Sequence, residues 1–287
     1  MKILITGING LVGNALFNFY SDSNHELLLT SRNLEGLASV SLDITKKKEV
    51  DNIIDEFKPD AVINTAAIAD VDLCEEEKEV CWNTNVTAIG YLIDACKRHD
   101  THLIHISTDY IFNGEKDGLY VEEDNPDPLG YYGESKLGGE NLLKESSIDY
   151  AILRTILVYG KHKKLNIVLK VKNGLESGDQ VNLVDDQIRT LTYVDDLVRA
   201  CDAVVNKRAR GVYHISGNEM MSYHEIGMKI ADHFSLDKSL INKMKTSSLN
   251  QKAKRPPKTG FVLEKAIRDL DYKPTKFDDA LDEMFNC

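Results

Sequence analysis

The chain has 287 residues, 42% hydrophobic and 28% charged, which is enough for one large domain or two modest ones around a sizeable core. Its net charge of −11 argues against nucleic acid as a partner, because an acidic surface repels a phosphate backbone, but a local basic pocket can still take a small phosphorylated ligand. Cys74, Cys81, Cys96, Cys201 and Cys287 are scattered without metal-type spacing and read as reduced thiols. No apolar run is long enough to span a bilayer, so a cytoplasmic protein with no membrane partner is expected.

Short apolar runs alternate with longer helical patterns. KILIT (2–6), HELLLT (25–30), AVINTAA (61–67), HLIHIST (102–108) and YAILRT (150–155) read as strands. They are too continuously apolar for one wet face, which suits a parallel sheet covered on both sides. LVGNALFNFY, KKKEVDNIIDEF and EVCWNTNVTAIGYLIDACKRH read as the helices between them. In the last, Val80, Ala88, Leu92 and Ala95 recur at helical spacing, and Trp82 is expected in the core. This alternation predicts an α/β fold, a Rossmann-type doubly wound parallel sheet with a smaller C-terminal substrate-binding region. The expected division is a cofactor domain over 1–160, completed by parts of 190–216, and a substrate region mainly over 161–287.

TGINGLVG sets Gly7, Gly10 and Gly13, with Leu11 and Val12, between the first strand and the first helix. There backbone N–H groups and the helix N-terminus can cradle a pyrophosphate. The second strand ends in Thr30, Ser31 and Arg32 where an NAD enzyme would carry a carboxylate. Arg32 suits a 2′-phosphate, so NADPH is expected over NADH. Ser107 and Thr108 close the strand at 102–108, and Tyr132 and Lys136 share one helix face four residues apart. A nearby ammonium is expected to lower the phenol pKa so that it can exchange a proton with a carbonyl, while Thr108 polarises the same oxygen. His102 and His105 are expected to be structural.

The stretches GINGLVG, INTAAIADVDLCEEE, STDYIFNG, PLGYYGESKLGGE, LRTILVYG and KRPPKTGFVLEKA together resemble the dTDP-4-dehydrorhamnose reductase family of the extended short-chain dehydrogenase/reductases. The resemblance implies a catalytic trio of Thr108, Tyr132 and Lys136, with the last two also touching the cofactor. It implies Asp43 and Ile44 near the adenine, Ala66, Ala67, Ile68 and Ala69 along the pyrophosphate and ribose, Val71 and Asp72 in the cleft beyond, and Asp109 and Tyr110 in the sugar pocket. The substrate it implies is a nucleoside-diphosphate 4-keto-6-deoxyhexose. Two departures stand out: Leu157 holds the place of a family tryptophan near the sugar, and Ala15 replaces a carboxylate that binds a metal in some members, so no metal is carried over. Arg189 and Arg255 lead as clamps for the substrate diphosphate. Of Lys161, Lys163 and Lys164, at least two are expected to be merely solvated. Another reductase or 4-epimerase of the superfamily stays open, as does a non-catalytic regulatory subunit resembling methionine adenosyltransferase beta. A homodimer also stays open.

Overall fold

The computed structural model describes residues 1–285. Cys287, one of the five cysteines read as reduced, lies outside the described residues; the other four are free and buried. Seven parallel strands form the central sheet: β1 (Lys2–Thr6), β2 (Glu26–Ser31), β3 (Val40–Ser41), β4 (Ala61–Asn64), β5 (His102–Thr108), β6 (Tyr150–Thr155) and β7 (Gly211–Ile215). Their order is β7-β6-β5-β4-β1-β2-β3, so the direction of winding reverses between β1 and β4. At such a switch point the connections leave to opposite sides and open a crevice at the strand carboxyl ends.

Alternation along each strand makes the sheet two-faced. Ile3 and Ile5 of β1, Ile63 of β4 and Leu153 of β6 share one core with Leu16 and Tyr20 of helix α1 (Leu11–Tyr20). Leu4, Val62 and Ile152, their neighbours in sequence, face the other core with Val50 and Ile54 of α2 (Lys47–Phe57). Both faces are therefore dry, as the unbroken apolar runs require.

The stretch expected as one helix over 79–99 is interrupted. After α3 (Val71–Glu76) come α4 (Lys78–Trp82), a π-helical turn at Asn83–Thr87, and α5 (Ala88–Arg98). The turn drives Asn85 inward, and α4 rides outside the core. Val80 and Trp82 are consequently 48% and 40% exposed, which corrects their expected burial. Trp82 packs against Tyr131 instead, with ring centroids 6.1 Å apart.

Helix α6 (Tyr131–Glu145) carries Tyr132 and Lys136 and is followed by α7 (Ile167–Glu176), α8 (Val194–Lys207) and α9 (Tyr223–His233). Residues 194–215 pack with the first unit, through Leu197, Val204 and Ile215. So do Ala266 and Leu270 near the C-terminus, which the sequence pattern did not reveal. A separate core joins α7, α9 and the C-terminal helix Phe277–Phe285 through Val168, Val171, Ile226, Ile230 and Leu281. No helix among the described residues is long and apolar enough to cross a membrane.

Candidate active site

The glycine turn follows β1 directly. Gly7 takes φ +67°, and a Cβ on Gly13 would stand 2.6 Å from the Gly7 carbonyl oxygen, so α1 can lie this close to the strand only without a side chain there. Helix α1 starts from Gly10 with no side-chain cap, leaving its first N–H groups for an anion. Leu11 and Val12 pack their side chains against apolar clusters and do not line the groove beside the turn.

A groove of about 340 Å³ runs from this turn along the ends of β1, β2 and β4. Gly7, Gly10, Arg32, Asp43, Ile44, Ala66, Ala67 and Ile68 line it, whereas Ala69 is exposed outside it. The Asp43 carboxylate accepts from the Thr45 amide and hydroxyl at 3.0 and 2.7 Å, which fixes that corner. Asn9, Ser31, Thr65, Thr84, Lys163 and Lys164 also line the groove. The two lysines were expected near the substrate diphosphate or in solvent, and their approach to the first crossover is a purely tertiary fact.

Deeper in, hydrogen bonds link four elements. Thr6 donates to Asn64 at 2.5 Å, Asn64 meets His105 Nδ1 at 3.1 Å, and Lys136 Nζ meets His105 Nε2 at 3.2 Å and donates to the Ile106 carbonyl at 2.7 Å. His105 is thus structural in a specific way: it seats the ammonium. Burial holds His105 well below its usual pKa, hence neutral. His102, in the same strand, is buried too, and burial lowers its pKa to about 4.

Tyr132 and Lys136 lie one turn apart on α6, both buried. Helix α6 comes this close because position 133 is glycine: a Cβ there would meet the Tyr110 carbonyl oxygen at 2.2 Å. The Tyr132 phenol is hydrogen-bonded to Thr108 at the end of β5 and packs edge-on to Tyr110, centroids 5.5 Å apart. The expected acidic phenol is corrected. Burial pushes Tyr132 up, and the Thr108 hydrogen bond only partly opposes it. Burial also pushes Lys136 down, to about 8. In a dry site the cost of holding charge dominates, so the phenol keeps its proton at neutral pH.

Asn85, delivered by the π-helical turn, holds both polar atoms of Ile68, accepting from its amide and donating to its carbonyl at 3.0 Å each. It also donates to Ser135 of α6 at 3.0 Å, and so ties the groove wall to the Tyr132 helix. Sequence reasoning missed Asn85; an asparagine in mid-helix with no surface role was the available signal.

Three expected contacts are corrected by burial. Ser107 donates to Glu140 at 2.7 Å and belongs to a sealed network in which Glu140 pairs with Arg154 at 2.8 Å. Asp109, 1% exposed, accepts from Thr259 at 2.5 Å and is sealed from solvent; burial pushes its pKa up. Arg189, also 1% exposed, spends its guanidinium on the carbonyls of Ile188, Pro256 and Pro257, so it braces the 254–257 loop and cannot grip a substrate phosphate.

Arg255 differs. It pairs with Asp72 at 2.8 Å, keeps 14% of its side chain exposed, and lies near enough to Tyr110 and Tyr223 to bias their ionisation. Asp72 also accepts from the Ala253 amide at 2.9 Å, which pins the C-terminal loop to α3 across the cleft. Leu157 is partly buried and holds the left-handed region at φ 41°, a costly conformation for a γ-branched residue that the surrounding cleft must support.

Comparison with known proteins gives a consistent picture. A family described as RmlD substrate binding domain matches residues 1–287. The chain is 33% identical to dTDP-4-dehydrorhamnose reductase from Aggregatibacter actinomycetemcomitans, covering 98% of this chain and 97% of that one. It is 31% identical to methionine adenosyltransferase 2 subunit beta from Rattus norvegicus over 83% of this chain and 73% of that one. Its fold is similar to the crystal structure of dTDP-4-dehydrorhamnose reductase from Bacillus anthracis in complex with NADP, with a TM-score of 0.91, 28% identity, and 99% and 98% of the two chains covered.

Proposed function

The chain belongs to the RmlD substrate binding domain family along its whole length, and from that premise we propose that it reduces the C4 ketone of a nucleotide-linked 6-deoxyhexose with NADPH, as the dTDP-4-dehydrorhamnose reductases it resembles do. The observation that carries this reading is the meeting of Thr108, Tyr132 and Lys136 at the carboxyl end of β5, beside a groove that opens at the switch between β1 and β4. The uncapped N-terminus of α1 and Arg32, which forms no salt bridge among the described residues, fit a phosphorylated dinucleotide.

Bound NADPH supplies the hydride. Tyr132 is the proton donor, and burial suits it to that task in the reducing direction because the phenol arrives protonated. Thr108 holds the phenol and the same carbonyl oxygen within one hydrogen-bonding set. Lys136, seated by His105 and Ile106, places positive charge beside the phenolate left after transfer. Arg255 faces the substrate diphosphate from the far side of the cleft, and Leu157 leaves more room near the sugar than a tryptophan would.

Loss of NADPH absorbance with dTDP-4-keto-6-deoxyglucose and its 3,5-epimerase tests the proposal. Tyr132→Phe should lower kcat by ~10²-fold or more with little change in melting temperature; an unchanged rate would remove Tyr132 from the mechanism. The likeness to a methionine adenosyltransferase beta subunit, together with Leu157, supports a second reading as a regulatory subunit. Absence of turnover by the wild type, with a methionine adenosyltransferase co-purifying, would select it.

A further inference from the structure

We propose that Lys163 and Lys164 form a clamp with Arg32 on the 2′-phosphate of the dinucleotide, and that this clamp sets the preference for NADPH over NADH; the inference rests on the NADPH-dependent reading above. The lysines stand some 130 residues from Arg32 in sequence, yet the three line one groove with Ser31 and Asn33.

The loop that carries them is held in place. Asn166 donates to the Gly160 carbonyl at 2.7 Å while its side-chain oxygen caps α7, accepting from the Val168 and Leu169 amides at 3.1 and 3.3 Å. Inside the loop the Lys164 amide donates to His162 Nδ1 at 3.0 Å, and His162 in turn hydrogen-bonds the backbone of Asn9 in the glycine turn. Asn9 then fastens the segment after β2, donating to the Glu35 carbonyl at 2.7 Å and accepting from the Leu37 amide at 3.1 Å. One asparagine thus joins the glycine turn, the Arg32 segment and the lysine loop.

Charge supports the assignment. The chain carries −11 overall, and the side chains of Arg32, Lys163 and Lys164 form no salt bridge among the described residues. In the groove they oppose two carboxylates, Glu35 and Asp43, and Asp43 is already occupied by Thr45. The local balance is positive where the molecule as a whole is negative, which a dianionic phosphate would complete. The pyrophosphate has its own donors at the N-terminus of α1, whereas the end of β2 is where the ribose 2′ position is read. Two flexible ammoniums suit a phosphate at the open end of a groove, with Arg32 supplying the directional fork. Lys161 lines a different cavity, with Ala15 and Glu283, and is the natural control.

Titration calorimetry with NADP⁺, NAD⁺ and 2′,5′-ADP tests the clamp on wild type, Lys163→Ala/Lys164→Ala, Arg32→Ala and Lys161→Ala. The double variant should bind NADP⁺ and 2′,5′-ADP about tenfold more weakly or worse, with NAD⁺ unchanged, as expected for losing charge-assisted hydrogen bonds to one group. Its NADP⁺ affinity should also depend less on salt, and Lys161→Ala should match wild type. Equal weakening of NADP⁺ and NAD⁺ would overturn the clamp in favour of general support of the loop or pyrophosphate. A wild-type preference for NADP⁺ that survives in the double variant but collapses in Arg32→Ala would overturn the clamp and leave the NADPH reading standing. A wild type that binds NADP⁺ and NAD⁺ equally would overturn both.

Discussion

The two ends of the crevice are built on opposite plans. Around Tyr132 the polar groups that matter are buried and partnered within the protein: Thr108 with Tyr132, Lys136 with His105 and Ile106, Asn85 with Ile68 and Ser135. At the Arg32 end three cations stand exposed without ion-pair partners among the described residues. The reacting end fixes geometry in advance, because a misplacement of ~1 Å costs ~10²-fold in rate. The open end keeps charge available, because an anion brought from water needs partners that are not already neutralised. The comparison separates what folding must hold from what binding must supply.

The sealed end should therefore be the more fragile in stability. Glu140 and Arg154 are 0% and 1% exposed and pair at 2.8 Å. Burial alone would raise the Glu140 pKa, but Arg154 holds it below the usual carboxylate range. Glu140→Ala would strand a buried guanidinium and should cost about 3–5 kcal/mol in denaturant unfolding. By contrast, Lys163→Ala/Lys164→Ala should leave the unfolding midpoint nearly unchanged. Because the Glu140 pKa is depressed on folding, its contribution is present above the unfolded value and is lost as pH falls through the folded one.

A second break acts on geometry without touching charge. Gly133→Ala would push a methyl against the Tyr110 backbone, so α6 must shift away from the end of β5. Overpacking of this kind costs ~1–3 kcal/mol, and moving Tyr132 from Thr108 should lower kcat by ~10²-fold. Cofactor affinity measured by calorimetry should change much less, since the Arg32 end does not rest on that contact. If kcat survives, the claim that α6 is positioned by close approach fails.

The sequence disclosed each end to a different degree. The parallel sheet was legible in five apolar runs, and Tyr132, Lys136 and Thr108 were legible because a helix repeat and a strand end are local patterns. Local pattern does not report depth. Arg189 and Arg255 look alike in sequence, yet one is sealed against proline carbonyls and the other pairs with Asp72 and stays partly exposed. It does not report a break in a helix either: the π-helical turn that aims Asn85 inward also turned Val80 and Trp82 outward. The phenol was misjudged for the same reason, since proximity of an ammonium is visible in Y-x-x-x-K and desolvation is not.

Lys136 gives that correction a pH signature. Its pKa falls from 10.5 to about 8 on folding, chiefly through burial. Between those values the unfolded chain holds a proton that the native site has lost, so the Lys136 contribution to stability rises with pH across this window. Activity should move the other way, with kcat/KM falling above about 8 as the Lys136 ammonium disappears. Lys136→Met should remove the stability difference in that window. A profile flat to pH 10 would show that the ammonium is not needed.

The smallest effects belong to the Asp72–Arg255 pair. Asp72 and Arg255 are 39% and 14% exposed, so losing the pair should cost no more than about 1 kcal/mol of stability. Its consequence for binding has a sign that distinguishes roles. If Arg255 grips the substrate diphosphate, Arg255→Ala raises KM about tenfold with kcat nearly kept, because one charge-assisted contact common to substrate and transition state is gone. Asp72→Asn keeps an acceptor for the Ala253 amide but releases the guanidinium from its carboxylate, so KM should fall a few-fold. Should both substitutions raise KM together, the pair acts as a latch on the loop, and the diphosphate must be held by another group.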